Sequence, residues 1–313
     1  MGEMAAMKND QSNHIIIEEQ GLRDGFQSEK TVVPTERKLE IIDELVDAGM
    51  TRIQVCSFVH PKRVPQMADA EAVCQGLRRS SGVVYSGLVL NLKGVERAVE
   101  AGLDHVAASI SASDTHSRRN TGKGLEEAQA GYAEMVRTAR EAGLTVRGGL
   151  QCVFGCRFEG AIDPDAVLDL VKRHLDLGID ELALADSTGM ADPRAMDELM
   201  GWVMELAGDT PVILHLHDTE GRGLANALAA VQAGVRVFDT AFGGMGGCPF
   251  IKGATGNIAT EDLVAMVERM GMSTGIDIRA VAGISRSLET FFDKQFPGSM
   301  HRVLGNDAIK VVL

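Results

Sequence analysis

Apolar residues recur along this chain in two alternating rhythms: short nearly continuous runs, and longer stretches with an apolar residue every three or four positions. The short runs predict strands over 14–19, 52–57, 83–90, 105–111, 145–153, 181–186, 212–217 and 237–242. The longer stretches predict helices, among them 35–48, 125–142, 164–177, 193–206 and 224–233. Pro164 and Pro193 fall at the first helical turn, where the missing N–H of proline costs nothing.

A repeated joint ties these elements together. Asp47-Ala48-Gly49-Met50, Glu100-Ala101-Gly102-Leu103, Glu141-Ala142-Gly143-Leu144, Asp176-Leu177-Gly178-Ile179 and Gln232-Ala233-Gly234-Val235 each close a helical stretch and precede an apolar run. Glycine just past a helix supplies the left-handed cap, and the apolar residue after it folds back over the helix end. About eight near-equal βα units of this kind predict a closed (β/α)8 TIM barrel over residues 13–272. An open doubly wound sheet is the weaker reading, because no Gly-x-Gly-x-x-Gly follows the first strand. Residues 273–313 predict a short C-terminal helical extension packed on the barrel.

Composition narrows the class. The 313 residues carry a formal net charge of -13, and the basic pair Arg118-Arg119 is too small an electrostatic footprint for nucleic acid. It suits a small anionic ligand. No apolar run approaches the ~20 residues of a membrane span. Residues 1–12 are polar, lack the apolar core of a signal peptide, and read as a frayed lead-in. Five scattered cysteines, Cys56, Cys74, Cys152, Cys156 and Cys248, point to reduced thiols and a cytoplasmic location. Cys152 and Cys156 read as buried thiols rather than a redox or metal pair.

In such a barrel the chemistry gathers at the C-terminal ends of the strands. There the sequence places Arg23-Asp24, Gln54, Ser57, Asn91, Ser109, Ser111, Arg147, Gln151, Asp186, His215 and His217, followed by a glycine-rich loop with Cys248 and by Gly256-Asn257. His215 and His217, two apart on a strand, share a face. With the Asp24 carboxylate and the Asn257 carbonyl they make a mixed nitrogen and oxygen set suited to Mg2+, Mn2+, Co2+ or Zn2+ at a catalytic site. Gly243, Gly244, Gly246 and Gly247 precede Cys248, so the loop reads as a mobile lid carrying a thiol over the mouth. Arg23 stabilises an oxyanion, pairs with Asp186 across the barrel, or does both, and Arg147 either meets substrate or forms a structural ion pair.

Arg23-Asp24-Gly25-Phe26-Gln27, Ser57-Phe58-Val59, Val64-Pro65-Gln66-Met67, Asn91-Leu92-Lys93-Gly94, Arg147-Gly148, His215-Leu216-His217-Asp218-Thr219, Gly246-Gly247-Cys248-Pro249 and Gly256-Asn257-Ile258-Ala259-Thr260-Glu261 together resemble the 3-hydroxy-3-methylglutaryl-CoA lyase family, a TIM-barrel metallolyase branch. The resemblance implies that Asp24, His215, His217 and Asn257 hold a divalent ion, Mg2+ or Mn2+ ahead of Zn2+ or Co2+. Arg23 then faces the enolate, Cys248 is the lid thiol, and Asp186 and His215 are the candidate bases. Gln27, Gln54, Asn91, Arg147 and Gly149 are expected to meet the substrate. Gln54 stands where these lyases carry glutamate, Gly149 where they carry tyrosine, and Leu22 where proline usually precedes Arg-Asp. Gly149 is therefore expected to open space beside the reacting carbon for a bulkier 3-substituent.

The implied reaction is metal-dependent retro-Claisen cleavage of an acyl-CoA, in a homo-oligomer expected to be a dimer. Two rivals stand beside it. One is an acyl-CoA condensing enzyme of the isopropylmalate synthase type, which usually carries a further regulatory domain. The other is a metal-binding but catalytically silent barrel.

Overall fold

A computed structural model describes residues 13–247 and 255–305. Eight strands, β1 (Ile16–Glu19), β2 (Arg52–Ser57), β3 (Val84–Val89), β4 (His105–Ser111), β5 (Thr145–Gln151), β6 (Glu181–Asp186), β7 (Val212–Leu216) and β8 (Val237–Thr240), close in sequence order into one barrel. Every pairing is parallel, and β1 seals the ring by pairing with β2 (Glu18 opposite Arg52) and with β8 (Ile16 opposite Val237). The TIM barrel expected from the repeated joint is the fold observed. Several strands are shorter than their apolar runs: β8 stops at Thr240, since Phe242–Gly244 already turns.

The helices follow the same logic. α1 (Thr35–Asp47), α2 (Ala70–Gly76), α3 (Leu92–Glu100), α4 (Asp114–Thr121), α5 (Leu125–Glu141), α6 (Pro164–Asp176), α7 (Pro193–Ala207), α8 (Gly223–Gln232) and α9 (Thr260–Arg269) surround the strands. Asp163 and Asp192 cap α6 and α7 through side-chain bonds to backbone N–H groups, with Pro164 and Pro193 in the first turn. The joint glycines Gly49 and Gly234 take φ of 90° and 104°, the left-handed geometry that ends each helix. Outward strand residues such as Ile53, Val106, Leu182, Leu214 and Phe238 are fully buried beneath the helices.

Among the described residues two further helices, α10 (Ile278–Phe292) and α11 (Met300–Leu304), follow the barrel in sequence. The Phe292 ring lies 6.0 Å from Phe26, which lies 5.7 Å from Phe242, so α10 leans on the barrel mouth. Among the described residues no helix is long and apolar enough to cross a membrane. Residues 1–12 and Cys248 fall outside the described residues.

The barrel interior departs from the usual apolar layers. A single chain of polar contacts visits all eight strands. His105 on β4 meets Glu181 on β6 (3.1 Å), which takes both terminal nitrogens of Arg52 on β2 (2.7 Å each). Arg52 donates to Glu18 on β1 (2.9 Å), which accepts from Ser86 on β3 (2.8 Å) and pairs with Arg147 on β5 (3.2 Å). Arg147 pairs with Asp239 on β8, and Asp239 accepts from His215 on β7 (3.0 Å). Buried charges persist only when paired in this way.

Candidate active site

The site begins where β1 ends. The chain makes a wide helical turn over Gly21–Gly25, in which Gly25 N–H reaches back to the Gln20 carbonyl at 3.3 Å. Single turns of this π type recur at functional sites. Here the turn lets the consecutive residues Arg23 and Asp24 both line one cavity. Arg23 donates to Gln20 Oε1 (2.8 Å), to Gln54 Oε1 and to Asp24 Oδ1. Gln27 Nε2 donates to the same Asp24 oxygen at 2.7 Å.

Across the mouth, His215 and His217 share the inward face. Their Nε2 atoms stand 3.1 Å apart, and His217 Nε2 is 3.6 Å from Asp24 Oδ2. One ligand-capable atom each from Asp24, His215 and His217 lie within 4.8 Å of one another, and all three side chains are buried. Asn257 Nδ2 donates to Asp24 Oδ2 (2.7 Å) and to the Met245 carbonyl (2.9 Å). Its Oδ1 is buried with no hydrogen-bond partner. An orphaned carbonyl oxygen of this kind costs about 1–3 kcal/mol. A cation beside a carboxylate and two imidazoles removes that cost, so the residues present fit a divalent ion.

The protonation states suit this use. Burial alone would raise the Asp24 carboxyl, but the Arg23 charge and the His217 hydrogen bond together hold it well below the usual carboxylate range. Burial lowers the His215 pKa against the pull of Asp239, so its ring is neutral. Asp239 resists its own burial through the charge of Arg147 and stays ionised. It accepts the Nδ1–H of His215, which leaves the lone pair on Nε2, toward the site. Asp239→Asn is therefore expected to weaken divalent-ion affinity by about 10–100-fold. An unchanged Mn2+ titration of that variant would show that the ring needs no such orientation.

The structure redistributes other sequence-derived roles. The cavity, about 220 Å³, is lined by Arg23, Asp24, Gln27, Gln54, Arg147, Gly149, His215 and His217. Asn91 is not among them: its side chain caps α3 by accepting from Gly94 N–H (2.9 Å) and borders a smaller neighbouring cavity. Asp186 is also elsewhere. Ala183, Ala185 and Ser187 face the cavity, so strand alternation turns Asp186 outward. Its two oxygens accept from Met190 and Ala191 N–H (3.0 Å each), and it forms no pair with Arg23. That geometry makes it an anchor for the 187–191 turn rather than a base.

Arg147 is held by Glu18 and Asp239, the structural ion pair of the two readings, and forms the cavity floor. His215 has one open nitrogen, which serves as ligand or as base but not both at once. Gly149 does line the cavity, yet a Cβ there would stand 2.8 Å from Ser109 Oγ and 3.0 Å from its Cβ. Ser109, on the adjacent strand, thus takes part of the space expected to be open.

Sequence reasoning passed over Asp239, Glu18 and His116, which lines the same cavity from α4. The one available signal for the two acids was a carboxylate inside an apolar strand run.

The HMGL-like family model matches residues 14–288. The chain belongs to the HMGL-like family. Among relatives, mouse cytoplasmic 3-hydroxy-3-methylglutaryl-CoA lyase is 41% identical over 268 residues, covering 86% of this chain and 78% of that protein. Bovine mitochondrial hydroxymethylglutaryl-CoA lyase is 42% identical over 263 residues, 84% of this chain and 81% of that one. Among solved structures, an HMG-CoA lyase from Acinetobacter baumannii in complex with coenzyme A and 3-methylmalate superposes with TM-score 0.91 at 40% identity, covering 96% of this chain and 99% of that one. The Bacillus subtilis HMG-CoA lyase gives TM-score 0.91 at 36% identity, covering 94% and 99%. The family read from the motifs is the family found. Within this HMGL-like chain Gln54 makes the contact with Arg23 as a neutral acceptor, adding no charge beside the guanidinium.

Proposed function

We propose that this HMGL-like chain is a divalent-metal-dependent carbon–carbon lyase. It cleaves 3-hydroxy-3-methylglutaryl-CoA, or a close 3-hydroxy-3-substituted homologue, to acetyl-CoA and a 3-keto acid. The observation that carries the reading is the convergence of Asp24, His215 and His217 beside Arg23 in one cavity, with Asn257 bonded to Asp24 and its own Oδ1 buried without a partner. The names of its relatives point the same way.

Asp24, His215, His217 and Asn257 would hold the ion; the mixed nitrogen and oxygen donors suit Mg2+ or Mn2+, with Co2+ or Zn2+ as substitutes. When bound, a divalent ion lowers the pKa of a hydroxyl and polarises carbonyl or carboxylate oxygens. Arg23, fixed by Gln20, Gln54 and Asp24, presents a guanidinium to the charge that develops on the acetyl-CoA enolate. Because the open His215 nitrogen belongs to the ligand set and Asp186 faces outward, we assign the hydroxyl proton to His116. Burial lowers the pKa of His116, so its imidazole is neutral and able to accept. Cys248, or a water, is assigned to protonate the enolate. Arg147, Gln27, Gln54 and Gly149 shape the floor and walls.

Turnover of 3-hydroxy-3-methylglutaryl-CoA and its 3-alkyl homologues with Mn2+ or Mg2+, following acetyl-CoA release, tests the reading. Metal-dependent release is expected. Its absence across the panel, or net condensation of acetyl-CoA with keto acids, would replace it with a silent barrel or a condensing enzyme. In the same assay His116→Asn should shift the acidic limb of the pH–rate profile, and an unshifted limb would place the proton elsewhere.

A further inference from the structure

Glu19 is the last residue of β1 and is fully buried, yet nothing in the chemistry above uses it. Its neighbour Glu18 points into the barrel, so strand alternation sends Glu19 to the outer side. There one carboxyl gathers three segments. Oε1 accepts the N–H of Gly21 (2.7 Å) and the N–H of Phe242 (2.9 Å). Oε2 accepts the hydroxyl of Thr260 (2.6 Å), which lies 2.6 Å from the Thr240 hydroxyl oxygen.

Each donor stands beside a part of the site. Gly21 opens the turn that carries Arg23 and Asp24. Phe242 opens the turn leading to Met245, whose carbonyl accepts from Asn257. Thr260 begins α9, three residues beyond Asn257. The Phe242 ring lies directly over Gly21, where any side chain would collide with it. A second carboxyl, Glu261, repeats the arrangement one layer outward: it accepts from Gly243 N–H (2.9 Å) and from Ser285 of α10.

Burial raises the Glu19 pKa to about 8, against the bonds from Thr260, Gly21 and Phe242. A buried carboxyl is a poor source of stability. What it does supply is one acceptor point common to three loops.

We propose that Glu19 is a positioning residue for the metal site, holding these three segments at one carboxyl and so setting the spacing between Asp24 and Asn257. This rests on the metal-site reading above.

Calorimetric Mn2+ titration of the full chain tests it, with a thermal melt and near-UV circular dichroism on every variant. Glu19→Gln keeps an oxygen for both amides and an NH2 for Thr260, so its Kd should stay within about threefold of wild type. Glu19→Ala orphans both amides and should weaken Mn2+ by about tenfold or more, in the range seen when groups supporting metal ligands are lost. Should Glu19→Ala not fold, Thr260→Val removes a single contact and should weaken Mn2+ about threefold. Wild-type affinity in a folded Glu19→Ala protein, or in Thr260→Val if alanine fails, overturns the proposal. A Gln variant as weak as Ala overturns it too, because charge and not position would then be the operative property. A wild type that binds no Mn2+ would instead overturn the metal-site reading beneath it.

Discussion

Asp24→Asn is expected to lose Mn2+ binding at micromolar concentrations and to lower kcat/KM by about a thousandfold or more, the scale of several kcal/mol of charge stabilisation. Asp24 is the point where the site's contacts meet: Arg23 and Gln27 share one oxygen, while Asn257 and His217 stand by the other. Asparagine keeps the outline and removes the charge, so the fold should hold. Asp24→Ala should lose activity equally and stability as well, by about 3–5 kcal/mol, because it takes from the buried Arg23 both the charge and the acceptor oxygen that asparagine retains. Metal titration beside a thermal melt distinguishes the two variants. Retained Mn2+ affinity in Asp24→Asn would remove Asp24 from the ligand set.

The second large effect belongs to Arg23. Arg23→Met is expected to lower kcat by about 10²–10³-fold, the usual consequence of losing a preorganised oxyanion partner. Mn2+ affinity should stay within a few-fold, since Arg23 is not a ligand. Arg23→Lys should recover little, because a single ammonium cannot meet Gln20, Gln54 and Asp24 from one planar fork. Equal losses of metal affinity and rate would mean that Arg23 acts only by placing Asp24.

The features legible from sequence were those whose signal is local. The αβ joint repeats within a few residues, so the barrel could be counted from its glycines. Arg23-Asp24 and His215-Leu216-His217 carry their geometry in their spacing. Asp186 and Asn91 were misplaced for a reason equally physical. The face of a strand's last residue, and the choice of a polar side chain between capping a helix and meeting a ligand, depend on neighbours outside the segment. Asp186 went to the 187–191 turn, and Asn91 to the first turn of α3. Asp239 was hidden because its partners, Arg147 and His215, come from strands 92 and 24 residues away in sequence. Ser109 was not connected with Gly149 because only the β4–β5 register sets them side by side.

The polar chain inside the barrel bears on how the molecule assembles. Cutting the ring into halves after β4 would leave Glu18 and Arg52 in one fragment and their partners Arg147 and Glu181 in the other. Glu18 and Arg52 would keep each other, as would Arg147 and Asp239, but Glu181 would be left in the second half without Arg52 or His105. Partial barrels are therefore penalised, and strand recruitment becomes close to all-or-none. The last strand in sequence, β8, brings Asp239, which accepts from His215. On the proposed ligand set, a nascent chain stalled before residue 239 lacks both the partner of His215 and Asn257, so it would hold a divalent ion more weakly than the closed barrel.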